Sequence, residues 1–103
     1  MNKKNNENQE HLDILRKIDA GENVTQRKLA GELGLSLGKL NYCLNELKKK
    51  GLIKFNNFKN NKNKLNYMYI LTPKGVAQKT KLLITFMNRK MKEYEELKRE
   101  IKK

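Results

Sequence analysis

The chain has 103 residues, 37% of them hydrophobic and 34% charged, and its 24 Lys or Arg against 11 Asp or Glu leave a net charge of +13. That length holds one small domain with a modest core, and so basic a balance calls for a polyanion or an anionic surface as partner. A single cysteine excludes an internal disulfide framework and suits a reducing compartment. The longest apolar run, Leu82 to Met87, is interrupted by Thr85 and is too short to cross a bilayer, so no membrane partner is expected. The opening MNKKNNENQE lacks the apolar stretch of a secretory signal, and a soluble, cytoplasmic protein is expected.

The excess charge is concentrated. No acid occurs between Glu46 and Glu93, and that stretch holds thirteen Lys or Arg. The other eleven basic residues and the eleven acids cancel, so the whole surplus lies in one continuous part of the chain.

In chain order, residues 1–8 are polar, rich in Asn and Lys, and expected to be frayed. His11 to Ala20 then places Leu12, Leu15 and Ile18 on one helical face and stops at Gly21. His11 has no partner at metal-ligand spacing and is expected at the surface or partly covered; no metal and no cofactor are expected anywhere.

Thr25 to Gly51 reads as two helices joined by a tight turn. Thr25 is a good N-cap, Leu29, Ala30 and Leu33 share a face, and Gly34 suits the left-handed conformation that ends a helix. Ser36 caps the next helix two residues later, Leu37, Leu40, Leu44 and Leu47 recur at steps of three and four, and Gly51 follows three lysines as a stop. Steeply crossing helices need a small residue where they meet, and Ala30 supplies it, with Leu35, Leu40 and Cys43 filling the wedge. This is the helix-turn-helix pattern, whose second helix enters the major groove of DNA. An ordinary helical hairpin in an all-α core is the alternative.

After Gly51 the period changes. Leu52, Ile53 and Phe55, then Leu65 to Leu71 (LNYMYIL) with Tyr67, Tyr69 and Leu71 alternating against Met68 and Ile70, predict two antiparallel strands around a loop at Lys59 to Lys64. The loop KNNKNK carries three lysines and no acid; behind a helix-turn-helix it reads as a wing along the DNA backbone, by itself as a solvated tip. Thr72 and Pro73 then open a last helix, predicted over residues 73–103. Its length exceeds what so small a core can cover. Val76, Thr80, Leu83, Met87, Tyr94, Leu97 and Ile101 follow alternating steps of four and three if Lys90 takes one position, which predicts a coiled-coil seam and a homodimer; folding back onto the domain is the alternative.

The expected fold is therefore α+β, mostly α. A polar N-terminus (1–8) precedes a winged helix-turn-helix of three helices and a two-stranded wing (9–72) and a long C-terminal dimerisation helix (73–103). On a wheel of Ser36 to Lys50, Gly38, Lys39, Tyr42, Asn45, Glu46 and Lys49 lie opposite the leucines. Ser36 and the helix N-terminus suit a phosphate, and Gly38 lets backbone come close. Lys39 and Asn45 suit guanine and adenine edges, with Asn41 at the margin of the arc, and Tyr42 suits a phosphate or a thymine methyl. Glu46 is the misfit, since it repels phosphate unless it accepts from a cytosine amine or pairs with a lysine. Lys49, Lys59, Lys62 and Lys64 are expected to position the protein without reading sequence. Cys43 is expected to be a small core residue, since a redox sensor would lack a second thiol.

With helix, helix-turn-helix, hairpin and long terminal helix in that order, the chain resembles the MarR-type winged-helix transcriptional regulators. LAGELGLSLGKLNYCLNELKKKGLIK, NFKNNKNKLNYMYILTPKG and FMNRKMKEYEELKREI look more narrowly like small MarR-family regulators associated with exopolysaccharide gene clusters, over about residues 10–101. The resemblance implies a homodimer on a pseudo-palindromic site in double-stranded DNA and little or no enzymatic activity. Typical MarR proteins are longer, dimerise through helices at both ends and often carry a small-molecule pocket between the dimerisation and DNA-binding parts. The extension before the first helix is short and polar here, and the sequence names no effector.

Two rivals come from other classes: a winged-helix module that holds a protein partner, and a non-specific nucleic-acid-coating protein. An enzyme is not expected, because the sequence has no Gly-rich phosphate loop, Cys and His cluster, Ser and His pair or carboxylate pair in an apolar setting.

Overall fold

A computed structural model of the chain describes residues 3–21, 24–56, 64 and 68–102. The elements run α1 (Lys3–Asp19), α2 (Gln26–Leu33), α3 (Leu37–Lys49), β1 (Ile53–Phe55), β2 (Tyr69–Leu71) and α4 (Pro73–Ile101). This is the expected mostly α architecture, with a two-stranded antiparallel wing and a long final helix.

Local chemistry sets the element ends. Thr25 Oγ1 accepts from the Lys28 N–H, Ser36 Oγ from the Lys39 N–H and Thr72 Oγ1 from the Gly75 N–H, each at 3.0 Å. α2 and α3 stop in the same way: Gly34 and Gly51 take φ of 70° and 75°, and the Leu35 and Leu52 N–H groups donate back to the Ala30 and Leu47 carbonyls. In both cases a glycine relieves the strain of the left-handed turn and the leucine after it returns to the core.

α1 begins at Lys3, well before the His11 start that the periodicity suggested. Nothing between Lys3 and His11 breaks a helix, and the Gln9 side chain donates to Asp13 one turn on. α1 is also tied to every other helix by an ion pair: Glu10 to Lys39 on α3, Lys17 to Glu32 on α2, and Asp19 to Lys79 on α4. Its buried face is wider than expected, because Ile14 joins Leu15 and Ile18 in the core and His11 is only 4% exposed. The expectation of a surface or partly covered His11 is thus corrected, since α1 lays it against α3.

One core runs through the domain. Ile14, Leu15 and Ile18 of α1 meet Leu29 and Ala30 of α2, the α3 stripe of Leu40, Cys43, Leu44 and Leu47, and Leu52, Ile53 and Tyr69 from the wing. Leu37, at the first turn of α3, departs from the expected stripe and is 36% exposed.

The wing strands pair Ile53 with Leu71, Lys54 with Ile70 and Phe55 with Tyr69. Thr25 forms a further antiparallel bridge to Lys64, so the residue that caps α2 also anchors the returning limb of the wing. Lys59, Lys62 and Tyr67 fall outside the described residues.

α4 starts at a close joint. A Cβ on Gly75 would lie 1.9 Å from the Leu52 carbonyl oxygen, which itself accepts from the Thr72 N–H at 3.0 Å. Thr72 Oγ1 also donates to the Gly51 carbonyl. Only glycine fits at 75, because any larger residue would push α4 off β1. From there α4 covers α1 with Leu82 and Phe86, and every described residue from Met87 onward is exposed. The molecule is accordingly elongated, 58 Å by 27 Å by 23 Å.

Candidate nucleic-acid interface

α3 presents two faces of opposite character. Its inner face buries Leu40, Cys43, Leu44 and Leu47, and Ser36, Gly38, Lys39, Asn41, Tyr42, Asn45 and Lys49 all lie exposed on the remaining surface. The residues singled out on the helix therefore share one solvent-facing arc. Because the Ser36 hydroxyl caps the Lys39 N–H, it retains its own O–H for an incoming acceptor, and the first-turn amides of α3 have no partner within the helix. An added Cβ at Gly38 would meet nothing within 4 Å, so the domain itself does not require a glycine there.

Lys39 is held in place on both sides. Its ammonium lies 3.7 Å from Glu10 Oε1 and 5.2 Å from the centre of the Tyr42 ring. Both contacts leave it exposed while restricting where it points. Glu10 was not visible as a site residue in the sequence, because it sits on a different helix, 29 positions away.

Glu46 resolves as a residue of the flank. It is half-buried and close enough to His11 and Cys43 to bias their protonation, which turns it toward α1 and away from the exposed arc. Burial pushes the Cys43 thiol up, with Glu10 adding to the effect, so the group stays a neutral thiol inside the core.

The wing joins α3 through aromatic contacts. The Phe55 and Tyr69 rings stack at 5.4 Å, and the Lys48 ammonium sits 4.1 Å above Phe55. Lys64, half-buried at its bridge to Thr25, stands beside the start of α2. Lys48 and Phe55 were not among the expected site residues; their contact fixes the end of α3 against β1.

An open cleft of about 510 Å³ lies between α1 and α4, lined by Asp13, Arg16, Lys17, Asp19, Lys79, Leu33 and Leu83. Its cations share it with carboxylates, and Lys79 is paired with Asp19. Among the described residues no group of His, Cys, Asp and Glu is arranged to hold a metal ion, and no helix is long and apolar enough to cross a membrane.

Residues 9–54, from α1 into β1, match the family of winged helix-turn-helix DNA-binding domains. The fold is similar to the crystal structure of a Mycobacterium tuberculosis MarR family protein in complex with p-aminosalicylic acid, at 14% identity and a TM-score of 0.57 over 91% of this chain and 78% of that one. The chain has a winged-helix fold. No curated sequence matches the chain. In this winged helix α2 and α3 form the helix-turn-helix, and the exposed arc of α3 lies on the second of the two helices.

Proposed function

We propose that the chain is a sequence-specific regulator that binds a pseudo-palindromic operator in double-stranded DNA as a homodimer. One observation carries this reading: a serine-capped second helix turns Lys39, Tyr42, Asn45 and Lys49 to solvent as a single polar arc opposite the buried Leu40, Cys43, Leu44 and Leu47. Lys39 and Asn45 are the base readers, with Asn41 beside them; Ser36, Gly38 and the first-turn amides of α3 take a phosphate. Lys49, Lys59, Lys62 and Lys64 supply charge that fixes the protein on the duplex. The exposed apolar side chains on the second half of α4 join two copies.

Titration of the purified protein against duplexes selected from a random pool tests this reading. A dimer touching roughly six to ten phosphates gives a slope of log K against log salt of about −5 to −9. Asn45→Ala abolishes preference at one base position, a loss of about 1–3 kcal/mol of discrimination, whereas Lys62→Ala with Lys64→Ala weakens all duplexes alike. A slope near zero overturns DNA binding. Binding without any preferred site would instead point to a coating protein or to a module for a protein partner.

A further inference from the structure

The stripe that α4 leaves uncovered shares Met87, Tyr94 and Ile101 with the one the sequence suggests and is offset from it by one position at three others. Leu83 lines the cleft on its own domain, while Ile84 and Met91, absent from the expected seam, are 50% and 59% exposed. Ile84, Met87, Met91, Tyr94, Lys98 and Ile101 follow strict steps of three and four, with Leu97 on the flank. Charge divides along the same helix. The block 84–92 holds Arg89, Lys90 and Lys92 and no acid, whereas 93–101 holds four Glu against Lys98 and Arg99.

We infer that this face takes a second copy of the chain in antiparallel orientation, with the two-fold axis passing between Lys92 and Glu93. That register lays the basic block of each helix along the acidic block of the other, and it sets Ile84 against the partner's Ile101 and Met91 against the partner's Tyr94. Lys98 meets the partner's Met87, along which its aliphatic stem lies while its ammonium reaches water. In a parallel pair the same seam would set Lys98 against the partner's Lys98 and stack like blocks on like. The one gain of that arrangement, Lys90 with the partner's Glu95, is small, since Lys90 is exposed and already lies 3.6 Å from its own Glu93. The antiparallel register uses only about 27 Å of helix, at about 1.5 Å per residue, and holds the two winged domains at opposite ends of the shared segment.

This inference rests on the homodimer proposed above, and the two can fail separately. Ile84→Cys and Ile101→Cys variants, each keeping the buried Cys43, are mixed, exchanged, oxidised and mapped by mass spectrometry of disulfide-linked peptides, alongside sedimentation of the native chain. The expected result is a dimer in which the product linking residue 84 to residue 101 predominates, while either variant alone gives little cross-linked protein. A dimer that gives 84 to 84 and 101 to 101 products, or no product at either position, overturns the antiparallel seam and leaves the dimer standing. A monomer at tens of micromolar overturns both.

Discussion

α3 and α4 carry the same kind of sequence pattern and meet opposite fates. In α3 the apolar stripe from Leu40 to Leu47 is covered, by α1, α2 and the wing, and the polar side is left free. In the second half of α4 the stripe itself is left free: Met87, Met91, Tyr94, Leu97 and Ile101 are all more than half exposed. Helical periodicity says that a face is apolar; what covers it is decided by where the rest of the chain goes. The difference also separates two jobs. A stripe covered by its own chain stabilises a monomer, and a stripe left bare contributes only when something docks on it.

The largest expected effect lies where the packed part of α4 begins. Gly75→Ala drives a methyl group into the Leu52 backbone and is expected to cost more than about 3 kcal/mol, because neither backbone can yield without moving α4 or the wing. Urea denaturation measures this directly, and a variant as stable as the parent would mean that the joint is loose. Next comes the comparison itself. Leu44→Ala, in the covered stripe, is expected to cost about 2–5 kcal/mol at any protein concentration. Leu97→Ala, in the bare stripe, is expected to leave dilute protein unchanged within about 0.5 kcal/mol and to shift the midpoint only where copies associate. Equal, concentration-independent losses at both positions would erase the distinction.

A smaller effect follows pH. His11 is held below its ordinary 6.5 chiefly by burial and then by Lys50, against the opposing pull of Glu7, Glu10 and Glu46. Among the described residues its Nε2 finds no hydrogen-bond partner. Below 6.5 the unfolded chain protonates this residue before the folded one does, so folding stability falls as pH drops through that window and levels off below the folded value. Melting temperatures between pH 7.5 and 5 are expected to fall more steeply for the native chain than for His11→Leu; parallel curves would remove His11 from the account. Smallest is Glu10→Gln. Releasing Lys39 from its carboxylate is expected to tighten binding to unrelated DNA a few-fold and to steepen the salt slope by about one unit. An unchanged slope would show that the pair does not compete with phosphate.

Much of this fold was legible in short stretches of sequence. Thr25, Ser36 and the Thr72 and Pro73 pair act on their own helix, and Gly34 and Gly51 act on their own turn, so no distant residue is needed to read them. The exposed arc of α3 was legible for the same reason, since it follows from the leucines opposite. What escaped was tertiary. Burial of His11, exposure of Leu37, the hold of Glu10 on Lys39 and the Thr25 bridge to Lys64 each depend on a partner far along the chain. Along α4, Val76, Met87, Tyr94, Leu97 and Ile101 of the expected seam are exposed, whereas Leu83 lines the cleft toward α1, a contact that its own helix could not reveal.

Gly75 has a mechanical consequence beyond its fit. From a joint where backbone meets backbone, α4 runs 29 residues, about 43 Å at about 1.5 Å each, resting on α1 as far as Phe86 and projecting bare beyond it. A tilt of about 3° at its base would carry the far end about 2 Å sideways over that length. The accuracy with which anything fastened to the tip is aimed is thus set at its root, where one missing methyl group keeps the bearing tight.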